Sequence, residues 1–280
     1  MKEDEWRGLL MPVITRIGRQ KNNKERYNLY LDEVYAFSVD EAVLIKYQLS
    51  KGKVMEGFTI DEIVFDDEVR KAYNKAITFL SYRMRSEHEV KKKLQMSEFG
   101  EAVILEAIRK LYEHGFLNDE SFTKALVATQ KKNSKKGPTA IRQDLKKKGI
   151  EKGLQEEVLA TYTEDEQVTI ASTLTEKIIN QSQDKTPRQI KQKVQDTLQR
   201  KGYNFSIISQ ALAKFDLEKE QDEWVDIIAT QGDKVWRKYS SKYAGFDLKK
   251  RVKQALYLKG FPGEQIDIYI EKKEFELQDE

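Results

Sequence analysis

Three segments of this chain close in the same way: "LKKKGI" at residues 145–150, "LQRKGY" at 198–203 and "LYLKGF" at 256–261. A leucine, a lysine three residues on, then glycine and an apolar residue is the signature of a helix end. The glycine turns left-handed and the apolar residue packs back on the last turn. A looser copy is anchored on Leu94, with Phe99 in the apolar place and Glu98 where the others have glycine. The anchors Leu94, Leu145, Leu198 and Leu256 are 51, 53 and 58 residues apart. Recurrence at such a period marks an array of supersecondary units rather than one closed core. Leu111 in "LYEHGF" fits the ending better as a first anchor. It lies only 34 residues ahead of Leu145 and has no basic helix before it, so Leu94 is the preferred register.

Each ending belongs to a longer match. "PTAIRQDLKKKGI" from Pro138 aligns with "PRQIKQKVQDTLQRKGY" from Pro187 and "FDLKKRVKQALYLKGF" from Phe246. Proline costs nothing at the first helical position, and Thr186 suits the N-cap before Pro187. Ile141 and Leu145, then Ile190, Val194 and Leu198, then Leu248, Val252 and Leu256 form apolar stripes at four-residue steps. A further helix follows each stripe (Val103/Ile104/Ile108/Leu111, Leu154/Val158/Leu159, Ile207/Ile208/Leu212, Ile266/Ile270), and a longer one precedes it, as in "DESFTKALVATQKK" from Asp119. The unit is three helices. Charged residues are 35% of the chain and mean hydropathy is −0.71, so a single unit buries too little to fold alone and must share faces with its neighbours.

Residues 13–39 alternate apolar and polar side chains at period two, with turn residues at Asn22-Asn23 and Asp32-Glu33, and read as a three-stranded antiparallel meander. A short helix from Asp40, its N-cap, to Leu49 follows, and from about Asp61 the pattern is helical to the end. The expected fold is mainly α: tandem three-helix repeats forming an elongated curved rod, with a small strand-rich amino-terminal domain. The expected division is 1–60 for the sheet and its helix, then repeats at 61–116, 117–162, 163–215 and 216–280.

Cysteine is absent, which excludes disulfides, thiolate metal sites and a cysteine nucleophile. His88 and His114 have no companions at ligand spacing, so no metal or other cofactor is expected. No phosphate-cradling glycine loop appears, and acid pairs carry no signal in so charged a chain. An enzyme is not expected. The start, "MKEDEWRGLLMPVITRIGRQ", has acids where a signal peptide needs bases, and no segment is apolar enough to span a bilayer. A cytoplasmic protein is expected, and with no heptad pattern a monomer.

Fifty basic against 47 acidic residues leaves a net charge of only +3, but the signs are segregated. From Lys131 to Gly149 there are eight Lys or Arg residues and one acid, Asp144. Basic residues recur on the second helix of every unit: Arg83, Arg85, Lys91, Lys92 and Lys93; Lys135, Lys136, Arg142, Lys146, Lys147 and Lys148; Arg188, Lys191, Lys193, Arg200 and Lys201; Lys249, Lys250, Arg251 and Lys253. The compensating acid lies elsewhere, at 164–166, 216–223 and after Ile270. One lysine-rich face merely solvates a helix; four on the same element suit a long polyanion or a repetitive acidic partner. Tyr82, Tyr203, Tyr257 and Trp236 are candidates to stack on bases, though such residues more often line a core.

"YRMRSEHEVKKKL" (82–94), "GFLNDESFTKALV" (115–127) and "GPTAIRQDLKKKGI" (137–150) together resemble the RecX family of bacterial recombination regulators. Arg85, Ser86, Glu89 and Leu94 match the first motif; Gly115, Phe116, Leu117, Asp119 and Phe122 the second; Gly137, Pro138, Ile141, Arg142, Leu145 and Gly149 the third. The resemblance covers roughly residues 66–280, and the strand-rich start looks like the extension of the longer members. Glu98, Thr123 and the Thr186-Pro187 pair depart from the pattern. The resemblance implies tandem three-helix repeats that bind the RecA recombinase in the groove of its filament on single-stranded DNA, inhibiting its ATPase, strand exchange and coprotease activities. The matched glycines and apolar residues are expected to serve the fold, and the basic ones to make RecA or DNA contacts. The rival reading is a free-standing nucleic-acid-binding protein whose units act as helix-turn-helix readers, which needs base-reading side chains and, as a rule, a two-fold dimer.

Overall fold

The structure, a computed structural model, describes residues 11–278. The reading of the first ten residues as lacking a signal sequence therefore lies outside the described residues. The chain is mainly helical, with three-helix repeats and one small amino-terminal sheet. It divides into two compact units, residues 1–123 with 147–151 and residues 124–146 with 152–280.

In the first unit β1 (Ile14–Arg19), β2 (Arg26–Leu31) and β3 (Val34–Asp40) form an antiparallel meander in the order β1-β2-β3. Asp32 and Glu33 both take positive φ, 49° and 69°, the tight hairpin whose twist matches its strands. Asp40 caps α1 (Glu41–Lys46) by accepting the Ala42 amide. This helix stops short of Leu49 because Gln48 turns left-handed and the Leu49 amide returns to the Leu44 carbonyl. Ile14, Leu29, Leu31, Val39, Val43, Leu49, Met55 and Ile63 form the core beneath the sheet.

The next helix, α2 (Gly57–Leu80), begins four residues before Asp61 and serves two cores. Ile60 and Ile63 pack under the sheet, whereas Val69, Ala72, Tyr73 and Ala76 pack with Val90 and Leu94 of α3 (Glu87–Gln95) and Ile104, Ile108 and Leu111 of α4 (Glu101–Glu113). The hydrophobic period changes near residue 60, but no breaker interrupts the helix there. Between the cores sits Asp67, 2% exposed, which accepts from Arg26 of β2 at 2.8 Å and from the Asp40 amide.

The division between units falls within α5 (Asp119–Thr129) and again at the end of α6 (Pro138–Lys147). The helix expected to run from Asp119 to Lys132 gives way at Gln130 to a π turn, Gln130–Ser134, and a left-handed Lys135. The wider turn is held from outside: Lys201 Nζ donates to the Ser134 carbonyl and Tyr203 to that of Lys135. The second unit continues with α7 (Lys152–Ala160), α8 (Glu164–Asn180), α9 (Pro187–Arg200) and α10 (Phe205–Leu212), then α11 (Gln221–Ser240), α12 (Gly245–Lys259) and α13 (Gly263–Gln278). The stripes Ile190/Val194/Leu198 and Leu248/Val252/Leu256 are buried in separate cores. Glutamate can end a helix where the other copies use glycine: Glu98 takes φ 64°. Thr186 caps α9 in a reciprocal box with Gln189, and Thr123 is buried with its hydroxyl on the Asp119 carbonyl.

The Lys-Gly endings do more than stop helices. Each one receives the start of the second helix of the preceding repeat. Ser86, the N-cap of α3, donates its hydroxyl to the Lys148 carbonyl at 2.7 Å. The Gly137 amide, just before α6, donates to Lys201 at 2.8 Å, and the Thr186 hydroxyl to Lys259 at 2.5 Å. A β-carbon on Gly149 would lie 2.6 Å from His88 Cγ, one on Gly202 2.7 Å from Ala140 Cβ, and one on Gly260 2.6 Å from Arg188 Cβ. No real β-carbon tolerates such approaches, so these glycines are required by the neighbouring repeat as well as by their φ of 73°, 90° and 92°. The anchor Leu94 shares this geometry: it lies on the helix whose cap meets Lys148. At the last repeat the matching position is Ala244, which caps α12 with no side-chain hydrogen bond, followed by Gly245 and an exposed Phe246.

Candidate polyanion-binding surface

The basic residues singled out in the sequence fall into two groups. The first is engaged within the chain. Arg83 and Lys148 both donate to Glu89, at 2.8 and 2.9 Å, and Arg85 lies 4.0 Å from the same carboxylate with its guanidinium over Phe79. Lys91 faces Glu101, Lys93 lies over the Phe79 ring, and Lys136 pairs with Asp144 at 2.6 Å. Lys193 donates to the Ser182 hydroxyl, Lys201 to the Ser134 carbonyl and Arg200 to that of Asp196. Lys249 pairs with Glu274 and Lys253 with Asp267, while Arg251 covers the Tyr243 ring at 4.0 Å. Lys135, half-buried, is the left-handed residue that closes the π turn.

The second group is Lys92 on α3, Arg142, Lys146 and Lys147 on α6, Arg188 and Lys191 on α9, and Lys250 on α12. All seven are exposed, and none has an ion pair or side-chain hydrogen bond among the described residues. Each lies on the solvent side of a helix whose other side carries the buried stripe. These second helices start at fixed caps, Ser86, Gly137-Pro138 and Thr186-Pro187, so the exposed cations are set by phase along the helix.

Glu89 explains much of the division. It is the third residue of α3 and closes a capping box with Ser86. Burial alone would raise its carboxyl, but hydrogen bonds from Arg83, Lys148 and the Ser86 amide prevail and hold it at about 2. It therefore stays ionised and keeps Lys148 at the joint between repeats. Asp119 behaves oppositely: burial, with Glu87 and Glu89 nearby, lifts its carboxyl above the usual range although it accepts the Glu87 amide.

The sequence placed the compensating acid away from the basic helices. In the last repeat that acid returns: Asp267 and Glu274 of α13 reach Lys253 and Lys249 of α12. The two acids are seven residues apart, two helical turns, and that spacing was the available signal. Of the four aromatic candidates, Tyr203 and Trp236 are buried, Tyr203 sharing a 3.3 Å hydroxyl contact with Tyr162, while Tyr82 and Tyr257 are exposed.

Among the described residues no group of three or more His, Asp or Glu side chains is placed to hold a metal. His114 Nδ1 lies 2.8 Å from the Tyr73 hydroxyl, and His88 packs at Gly149. No helix among the described residues is long and apolar enough to cross a membrane. Caps, shared joints and a recurrent set of unpaired cations define a helical-repeat protein.

The comparisons with known proteins give the family. The model "Regulatory protein RecX N-terminal domain" matches residues 12–56, and those of the first and second RecX three-helix domains match 72–111 and 118–159. The third-domain model matches twice, at 164–212 and 221–270. Regulatory protein RecX of Bacillus velezensis is 41% identical over 94% of this chain and 100% of its own length; that of Bacillus subtilis is 39% identical over 95% and 100%. A crystal structure of regulatory protein RecX superposes with a TM-score of 0.62 at 34% identity, covering 71% of this chain and 97% of that one. Another, of RecX from Lactobacillus salivarius, gives 0.52 at 35% identity over 55% and 99%. The chain belongs to the RecX family of regulatory proteins.

Proposed function

We propose that this protein regulates a RecA-type recombinase in the cytoplasm, binding the recombinase filament on single-stranded DNA as a monomer. Binding inhibits ATP turnover, strand exchange and coprotease activity, and so modulates recombination, DNA repair and the SOS response. The observation that carries this reading is the set of seven exposed, unpaired cations on the second helices of all four repeats. The repeats act in the register 61–116, 117–162, 163–215 and 216–280, after an amino-terminal domain at 1–60. Weak contacts repeated along one chain suit a polymer, because each added contact is intramolecular once the first has formed.

The test is ATP hydrolysis by the recombinase on single-stranded DNA with increasing amounts of the parent protein or an Arg142→Glu, Lys146→Glu, Lys147→Glu variant. Exposed ion pairs contribute about 0.2–1 kcal/mol each, so losing and reversing three costs roughly 1–4 kcal/mol, about fivefold to several hundredfold in affinity. Lys148 is left intact because it pairs with Glu89. A folded variant that inhibits like the parent at low salt would remove the cations from the contact. Parallel titrations of naked single-stranded and duplex DNA separate filament regulation from free nucleic-acid binding.

A further inference from the structure

The inner face of the amino-terminal sheet covers a core; its outer face has a different chemistry. Register puts Arg16, Tyr30 and Tyr35 in one row across the three strands, and Gly18, Asn28 and Ser38 in the next. The Arg16 guanidinium lies 3.7 Å over the Tyr30 ring, and Tyr30 meets Tyr35 edge to face at 5.9 Å. Tyr35 is 54% exposed. Gln20 Nε2 donates to Asn28 Oδ1 at 2.7 Å. Gly18 sits inside a strand, where glycine weakens pairing, and a β-carbon there would meet nothing within 4 Å.

We propose that this face is a stacking platform for single-stranded nucleic acid. Exposed tyrosine, an arginine plane, side-chain amides and an open glycine are what unstacked bases and their edges require, and no aliphatic anchor for a protein partner lies in either row. Charge is supplied by Arg16, Arg19, Lys21 and Lys24, against Glu25, since Arg26 is spent on Asp67 and the Ser38 hydroxyl. The carboxylates of Asp32 and Glu33 lie at the hairpin beside the Tyr30–Tyr35 row, with Asp32 occupied by the Val13 amide, and the Lys21–Lys24 turn is at the other end of the meander, where a strand leaving the row would meet it. Adjacent strands are about 4.8 Å apart, so the Arg16–Tyr35 row spans about 10 Å, and with Arg16 over Tyr30 the ring open to a base is that of Tyr35. This surface is separate from the second-helix cations and does not depend on a recombinase.

The experiment is fluorescence anisotropy of a short labelled oligothymidylate and of an abasic strand of equal length, titrated with the whole chain at physiological ionic strength. The helical cations meet both strands alike; the platform binds only the strand with bases. The parent should prefer oligothymidylate, and Tyr35→Leu should lose that preference with affinity down about fivefold to a hundredfold, the loss of one stacked base. Tyr35→Phe keeps the ring and should bind like the parent. Gly18→Val suits a strand better than glycine, so the protein should melt no lower than the parent yet bind more weakly. Equal affinity of the parent for both strands, or folded Tyr35→Leu and Gly18→Val variants that bind oligothymidylate like the parent, would overturn the proposal. So would self-association, or regulation of the recombinase, that these variants abolish while base preference stays intact, since the face would then belong to a second copy or a protein partner.

Discussion

Gly115 and Gly202 provide a matched pair for weighing the joints between repeats. Both are left-handed, at φ 73° and 90°, and both follow a helix. A β-carbon at Gly115 would meet nothing within 4 Å; at Gly202 it would run into the amide nitrogen and side chain of Ala140. Gly115→Ala therefore isolates the backbone cost, about 1–2 kcal/mol for a left-handed L-residue. Less unfolded-state entropy offsets about 0.4–1 kcal/mol of it, leaving roughly 1 kcal/mol. Gly202→Ala carries the same cost plus overpacking of about 1–3 kcal/mol. It also strains the bonds from the Gly137 and Thr139 amides to the Lys201 and Gly202 carbonyls, each worth about 0.5–1.5 kcal/mol intact, for a further cost of about 1 kcal/mol. The expected loss is roughly 3–5 kcal/mol. At about 2–4 °C per kcal/mol, the midpoints should fall by about 2–4 °C for Gly115→Ala and about 6–20 °C for Gly202→Ala. Thermal melts followed by circular dichroism read both, and in a Trp6→Phe background the fluorescence of Trp224 and Trp236 follows the second unit. Equal shifts would mean that the joint relaxes around a methyl group and that the glycine serves only its own helix end.

Thr186→Ala should cost about 1.5–3 kcal/mol, combining a lost N-cap with the lost bond to Lys259, whereas Thr186→Ser stays within about 0.5 kcal/mol in denaturant titration. Glu89 is held at about 2, below its unfolded value, so its contribution is complete above about pH 4.5 and lost as pH falls through 2. Stability should drop by about 2–3 kcal/mol across that window, and Glu89→Gln should flatten the profile measured by urea unfolding. Arg26→Met leaves Asp67 buried with only Lys71 as cation, and should destabilise the first unit by about 2–4 kcal/mol, seen as an earlier melting step.

The Leu-x-x-Lys-Gly recurrence made the helices, stripes and caps legible, because each rests on local chemistry: a proline at the first turn, a hydroxyl before it, a glycine after the last. The meander was equally legible from period two and its turn residues. What escaped was set by distant partners. The start of α2 at Gly57 and its service to two cores follow from Ile60 and Ile63 packing under strands some thirty residues earlier. The π turn at Gln130 depends on Lys201 and Tyr203, about seventy residues on. The basic helices were visible as helices with charge, but not which charges are free. Lys146 and Lys148 look alike in sequence; only the fold brings Glu89 to one of them.

The joints are made largely by main-chain carbonyls and by caps that the inner repeats carry, so each inner repeat brings both halves of the fit: a plug at the start of its second helix and a socket at that helix's end. Such a chain can lengthen by whole units. A duplicated repeat inserted between two others finds a socket on one side and presents one on the other, with no need to redesign either neighbour's core. The third-domain model matches both 164–212 and 221–270, two units of one pattern placed in succession. At α12 the fit is altered, because Ala244 and Phe246 supply neither the hydroxyl nor the proline that the earlier second helices present to the repeat after them.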